Sequence, residues 1–182
     1  KRQPFVQTIA QNNPMANPKS IVTCGNARFT VLTPEMIRIE YSTQGVFEDR
    51  ATFTIVNRNL EPVDFKIKED NQFLYIRTDK VNLKYRKGTS PQTTPASPKN
   101  LSITINNQCE SLWYLGKNDS LNLKGTCRTL DGSNGDNKRD RLENGLISRS
   151  GWAIIDDSWN TVRADGGRSF ALQYNKEIGF DW

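Results

Sequence analysis

Asp156 and Asp157 close an apolar run, and Asp131 lies in a segment rich in Gly, Asp and Asn. Carboxylates accept hydrogen bonds from sugar hydroxyls, and suitably placed pairs of them run general acid–base chemistry. The spacing of Asp156 and Asp157 does not suit that work, because neighbouring side chains in extended backbone face opposite ways. A turn at the strand end would bring them closer, and capping the turn before Ser158 and Trp159 is the simpler use of both. Asp131 precedes Gly132, which is also a common turn signal.

Histidine is absent, which removes the commonest general base and the commonest transition-metal ligand together. Cys24, Cys109 and Cys127 have no metal-ligand spacing, and an odd count closes no disulfide framework. Buried thiols are the default, with a Cys109–Cys127 disulfide across a folded-back segment as the alternative. No metal or cofactor is expected, and no catalytic residue is assigned. Gly132 to Gly135 lacks the strand, spacing and lysine of a phosphate cradle. Trp113, Trp152, Trp159 and Trp182 have the rings to stack on sugars, but strand spacing favours burial, and Trp152, leading the apolar run Trp152 to Ile155, is expected in a core.

Length and charge bound what must carry these groups. A chain of 182 residues can bury roughly 70% of its unfolded surface, enough for one stable domain. Lys and Arg number 25 against 20 Asp and Glu, a net charge of +5. That excess looks diffuse, and the densest run, Lys138 to Arg141, contains Asp140, so neither nucleic acid nor a membrane is expected as a partner. No apolar run reaches the length of a transmembrane helix. The chain opens at Lys1 without Met or an apolar leader, as after removal of an export signal or in a trimmed chain; the first of these would place it in the periplasm or outside the cell.

Residues 1–20, with Pro4, Pro14 and Pro18 among polar side chains, read as a surface arm. From Ile21 onward the period is two: Phe29 and Val31 alternate with Arg28 and Thr30, and Ile37, Ile39 and Tyr41 with Arg38 and Glu40, as in strands with one wet face. The alternation recurs at Phe53 and Ile55, Phe65 and Ile67, Val81 to Tyr85, and Leu101 to Ile105, with turn signals between. This pattern predicts an all-β fold, an antiparallel β-sandwich over residues 21–182, with long loops at 87–100 and 128–149. The first loop holds Pro91, Pro95 and Pro98 and cannot lie in a central strand. The second is long enough to expect a functional role.

The segment 27–59, ARFTVLTPEMIRIEYSTQGVFEDRATFTIVNRN, with its FEDR step Phe47 to Arg50, resembles the opening strands of glycoside hydrolase family 31 proteins. The segment 125–158, with GTCRTLDG near its start and NGLISRSGWAIIDDS at its end, resembles the later part of the same N-terminal domain. The resemblance implies a galactose-mutarotase-like sandwich that packs on a C-terminal (β/α)8 barrel of the same protein. The barrel would carry the aspartate nucleophile and acid/base, and its motifs are not in this sequence. The whole protein would then hydrolyse α-glucosides or α-xylosides with retention. Loops of such a domain reach the barrel mouth, which makes Asp131, or one of Asp156 and Asp157, a candidate for contact with an oligosaccharide substrate. True sugar mutarotases depend on histidines, so that activity is not expected. The isolated chain is then expected to be inactive although the parent protein is a glycoside hydrolase, and an independent carbohydrate-binding module is the alternative.

Overall fold

In a computed structural model, the described residues are 13–52, 54–90, 97–106, 112–125 and 144–158, with the strand backbones 162–163, 170–171 and 180–181. They build an all-β fold of antiparallel sheets, with one 3-10 turn at Pro18–Ser20. The chain divides into two compact units: Lys1–Val63 with Asp157–Asp181, and Asp64–Asp156 with Trp182.

The first unit holds β1 (Ile21–Cys24), β2 (Ala27–Val31) and β3 (Ile37–Tyr41), with β11 (Phe180–Asp181) pairing on the far side of β3; β9 (Val162–Arg163) and β10 (Phe170–Ala171) form a separate ribbon. Register places Val22, Phe29 and Ile39 on one face, beside the Ala27–Tyr41 and Val31–Ile37 pairs. The opposite face of β2 and β3 departs from expectation. Arg28, Thr30, Arg38 and Glu40 share it, and each is at most 7% exposed, so these strands have no wet face. The residues that follow β3 cover it. Gly45, at φ +71°, takes a left-handed conformation that side chains disfavour, and the Val46 N–H donates to Ser42 Oγ. The turn they make carries Phe47 to Arg50 back over the charged side chains.

The second unit is a sheet in the order β4 (Lys66–Glu69), β5 (Phe73–Arg77), β6 (Val81–Arg86), β7 (Leu101–Ile105), β8 (Leu112–Tyr114). Leu74, Ile76 and Leu83 are wholly buried, each contributing about 1.5–3 kcal/mol by burial, and Tyr85, Leu101 and Trp113 join them. β6 and β7 pair with each other, so residues 87–100 connect neighbouring strands.

Other expectations are corrected. Phe53 lies outside the described residues; beside it the Thr52 N–H donates to Ile55 O at 3.0 Å, and Ile55 is not in a strand. β4 is an edge strand exposed on both faces, with Ile67 at 51% exposure. Trp152 to Ile155 is not a strand: no strand pairs with it among the described residues, Trp152 is half-buried and Ile155 exposed. An apolar run without a neighbour to satisfy its backbone groups does not become a strand. Cys109 and Cys127 lie outside the described residues, and Cys24 is half-buried at the end of β1.

Candidate functional site

The buried charged face of the first unit explains what the FEDR step does locally. Arg28 donates through Nε and Nη2 to the two oxygens of Glu40 at 2.6 and 2.7 Å, and pairs with Asp49 at 2.8 Å. Arg38 Nη2 reaches Glu40 at 3.1 Å and donates to the Glu48 carbonyl at 2.8 Å. The Arg28 guanidinium lies 4.7 Å from the centre of the Phe47 ring. Glu48 accepts from the Nε, Nη2 and backbone N–H of Arg50. Burial alone would disfavour the charged form of Arg28, but Glu40 and Asp49 outweigh it and raise the pKa above its usual value. Burial likewise opposes the Glu48 carboxylate, and the Arg50 hydrogen bonds hold its pKa below the ordinary one. Each of these groups is engaged by its neighbours, as in a structural network.

Asp156 is exposed and Asp157 is 4% exposed, so the adjacent carboxylates occupy different environments and do not form an acid–base pair. Asp157 accepts from Thr52 Oγ1 at 2.7 Å and lies 3.7 Å from Arg58 Nη2. Arg58 Nη1 in turn donates to the Arg50 carbonyl at 3.1 Å. Asp157 thereby ties together positions 105 residues apart.

Asp131 lies outside the described residues, but the stem that presents its loop is described. Leu123 N–H donates to Ile147 O and Arg149 N–H to Leu121 O, pairing the two sides. Asn122 locks them: its Oδ1 accepts from Gly145 N–H at 2.9 Å and its Nδ2 donates to Gly145 O at 3.0 Å. Gly145 is required here, since a Cβ would sit 2.7 Å from Lys124 O. Below the clamp, Asp119, 2% exposed, accepts from Ser150 Oγ at 2.7 Å and from Asn122 Nδ2 at 3.2 Å. Burial opposes its charge, and hydrogen bonds from Ser150, Ser148, Asn122 and the Leu121 N–H outweigh that, holding its pKa below the usual value.

Two features of the second unit face outward and could meet a ligand or partner. The stem exposes Leu121 (53%), Leu123 (55%), Leu146 (69%) and Ile147 (69%). Half-buried Tyr114 and Trp152 each lie 5.9 Å from the Lys117 ammonium, which donates to Leu112 O. Among the described residues no group of His, Cys, Asp or Glu could hold a metal ion, and no helix is long and apolar enough to cross a membrane.

Sequence reasoning named Asp156 and Asp157 but missed Arg28, Glu40, Glu48, Asp119 and Asn122. Opposite charges facing each other across β2 and β3 were the available signal for the first pair. Asn122 and Gly145 had none, because their partnership depends on how the loop closes. Compared with known proteins, the chain matches no family model and no curated protein.

Proposed function

We propose that this chain is the non-catalytic N-terminal domain, a galactose-mutarotase-like β-sandwich, of a retaining α-glycosidase of family 31 acting on α-glucosides or α-xylosides. It packs on a (β/α)8 barrel, and its 128–149 loop helps to shape the pocket for an oligosaccharide substrate. The observation that carries this reading is the stem of that loop, whose rigid clamp displays Leu121, Leu123, Leu146 and Ile147 to solvent. Aliphatic side chains gathered on one polar stem are the mark of a surface meant to be covered. Asp157, in bonding Thr52, serves as a brace, which leaves Asp131 and Asp156 as the carboxylates for substrate contact.

The test is to mix the chain with a separately expressed family 31 barrel and follow complex formation and 4-nitrophenyl α-glucoside and α-xyloside hydrolysis. A saturable complex that Leu123→Lys with Ile147→Lys abolishes supports the reading. Absence of any complex overturns it. The second reading, a free-standing carbohydrate-binding module, draws on the half-buried Tyr114 and Trp152 flanking Lys117. Titration calorimetry with glucose, xylose, maltose and isomaltose separates the two: saturable binding by the isolated chain, lost in Trp152→Ala, favours the module.

A further inference from the structure

The cations that look scattered in sequence are gathered by strand register. Lys66 stands opposite Arg77, and Arg77 opposite Asn82; Lys68 stands opposite Tyr75, and Tyr75 opposite Lys84; Phe73 stands opposite Arg86. These residues therefore share the face of β4, β5 and β6 turned away from Leu74, Ile76 and Leu83. That face carries Lys66, Lys68, Arg77, Lys84 and Arg86, and none of the residues the three strands place on it is an acid. Strand spacing and rise put the five cations within a patch of about 10 by 14 Å. The Debye length at physiological salt is about 8 Å, so their fields add.

The nearby carboxylates offset part of this field, Asp70 most directly, and do not match its five cations. Glu69 lies on the other face of β4, where it is exposed and pairs with Lys87 at 2.6 Å, and Asp79 lies 3.8 Å from Lys80 in the β5–β6 turn. Asp70 is turned to the backbone N–H groups of Gln72 and Phe73, at 2.8 and 2.7 Å, and bonds the Tyr75 hydroxyl. Beyond the cations the Arg77–Asn82 row continues into exposed Thr104, opposite Asn82, while Ser102, opposite Lys84, is buried.

We propose that this sheet face binds an acidic polysaccharide, a chain bearing sulfate or uronate groups, with the five cations taking the acid groups and Asn82 and Thr104 the hydroxyls. Charge complementarity selects a polyanion. The aromatic side chains decide against single-stranded nucleic acid, which needs open rings for its bases. The Lys84 ammonium lies 4.2 Å from the centre of the Phe73 ring and covers it, Tyr75 packs against Phe73 at 6.1 Å, and both rings are half-buried. The residues involved are not those of the aliphatic stem, so this inference and the domain-packing proposal stand or fall separately.

The experiment is affinity measurement of the whole chain on heparin and polygalacturonate, with neutral dextran, oligothymidylate and phosphatidylserine vesicles as competitors. Binding to one of the acidic glycans is expected, weakening steeply as salt rises. Lys66→Gln, Lys68→Gln and Arg77→Gln together should cost about tenfold at low salt, where screening is weakest. The charge-matched control Lys19→Gln, Lys99→Gln and Arg149→Gln, at exposed positions off this face, should change affinity less than about twofold. All three face positions are exposed, so thermal unfolding should match wild type. Equal losses in the two triple variants would overturn the proposal, as would absence of glycan binding or tighter binding to oligothymidylate or vesicles.

Discussion

Replacing Glu40 by Gln tests whether the charged face of β2 and β3 is a closed, buried network. Glu40 is 2% exposed and is the shared acceptor of Arg28 and Arg38, each 7% exposed. The amide keeps the volume and removes the charge. Two buried guanidinium groups then lose their shared buried carboxylate, while the Glu48 carbonyl and Asp49, whose side chain is 47% exposed, stay within reach. Stranding a buried charge by removing its partner costs about 3–5 kcal/mol. For a chain of this size that is a fall in Tm of about 6–20 °C. The assay is urea unfolding at pH 7 followed by both fluorescence and circular dichroism, since coincident transitions license a two-state free energy. Glu35→Gln, on an exposed side chain, is the control and should lie within about 0.5 kcal/mol of wild type. Replacing the trio together, Arg28→Met, Arg38→Met and Glu40→Leu, should recover most of the loss, because no uncompensated charge remains. A Glu40→Gln cost below about 1 kcal/mol, like that of an exposed ion pair, would refute the reasoning and mean that water reaches this face.

Acid should loosen the same unit and the loop stem. The folded-state pKa values of Glu48 and Asp119 are depressed, so their stabilisation is complete above the ordinary values of 4.5 and 3.8 and is lost as pH falls through the lower folded values. Tm should therefore hold steady from pH 7 to about 5 and drop below about 4, and Glu48→Gln should lower Tm at pH 7 while flattening that drop. Gly145→Ala places a methyl 2.7 Å from Lys124 O, and should cost about 1–3 kcal/mol through overpacking. The effect should be local, read as faster hydrogen exchange at Leu123 and Arg149 with exchange of β5 and β6 unchanged.

Period-two alternation at Phe29 to Val31, Ile37 to Tyr41, Val81 to Tyr85 and Leu101 to Ile105 carried enough information to place strands, because a residue's face follows from its parity once backbone is extended. The same rule failed at Trp152 to Ile155 and at Ile55. Parity says where a side chain points, but a strand also needs a neighbour for its backbone, and neighbours are chosen by the whole chain.

Composition and alternation determined that this chain is built of β-strands and that it carries no histidine for chemistry. Only the tertiary structure decided what lies over each face. It buried Arg28, Arg38 and Glu40 beneath the Phe47 to Arg50 segment, turned Asp157 into a brace for Thr52, and left Leu123 and Ile147 in solvent on a locked stem. It also gathered five cations, spread over 21 residues from Lys66 to Arg86, onto one side of a sheet. The reason is the same in each case: burial and field strength depend on distance in space, and strand pairing sets that distance between residues far apart in the chain.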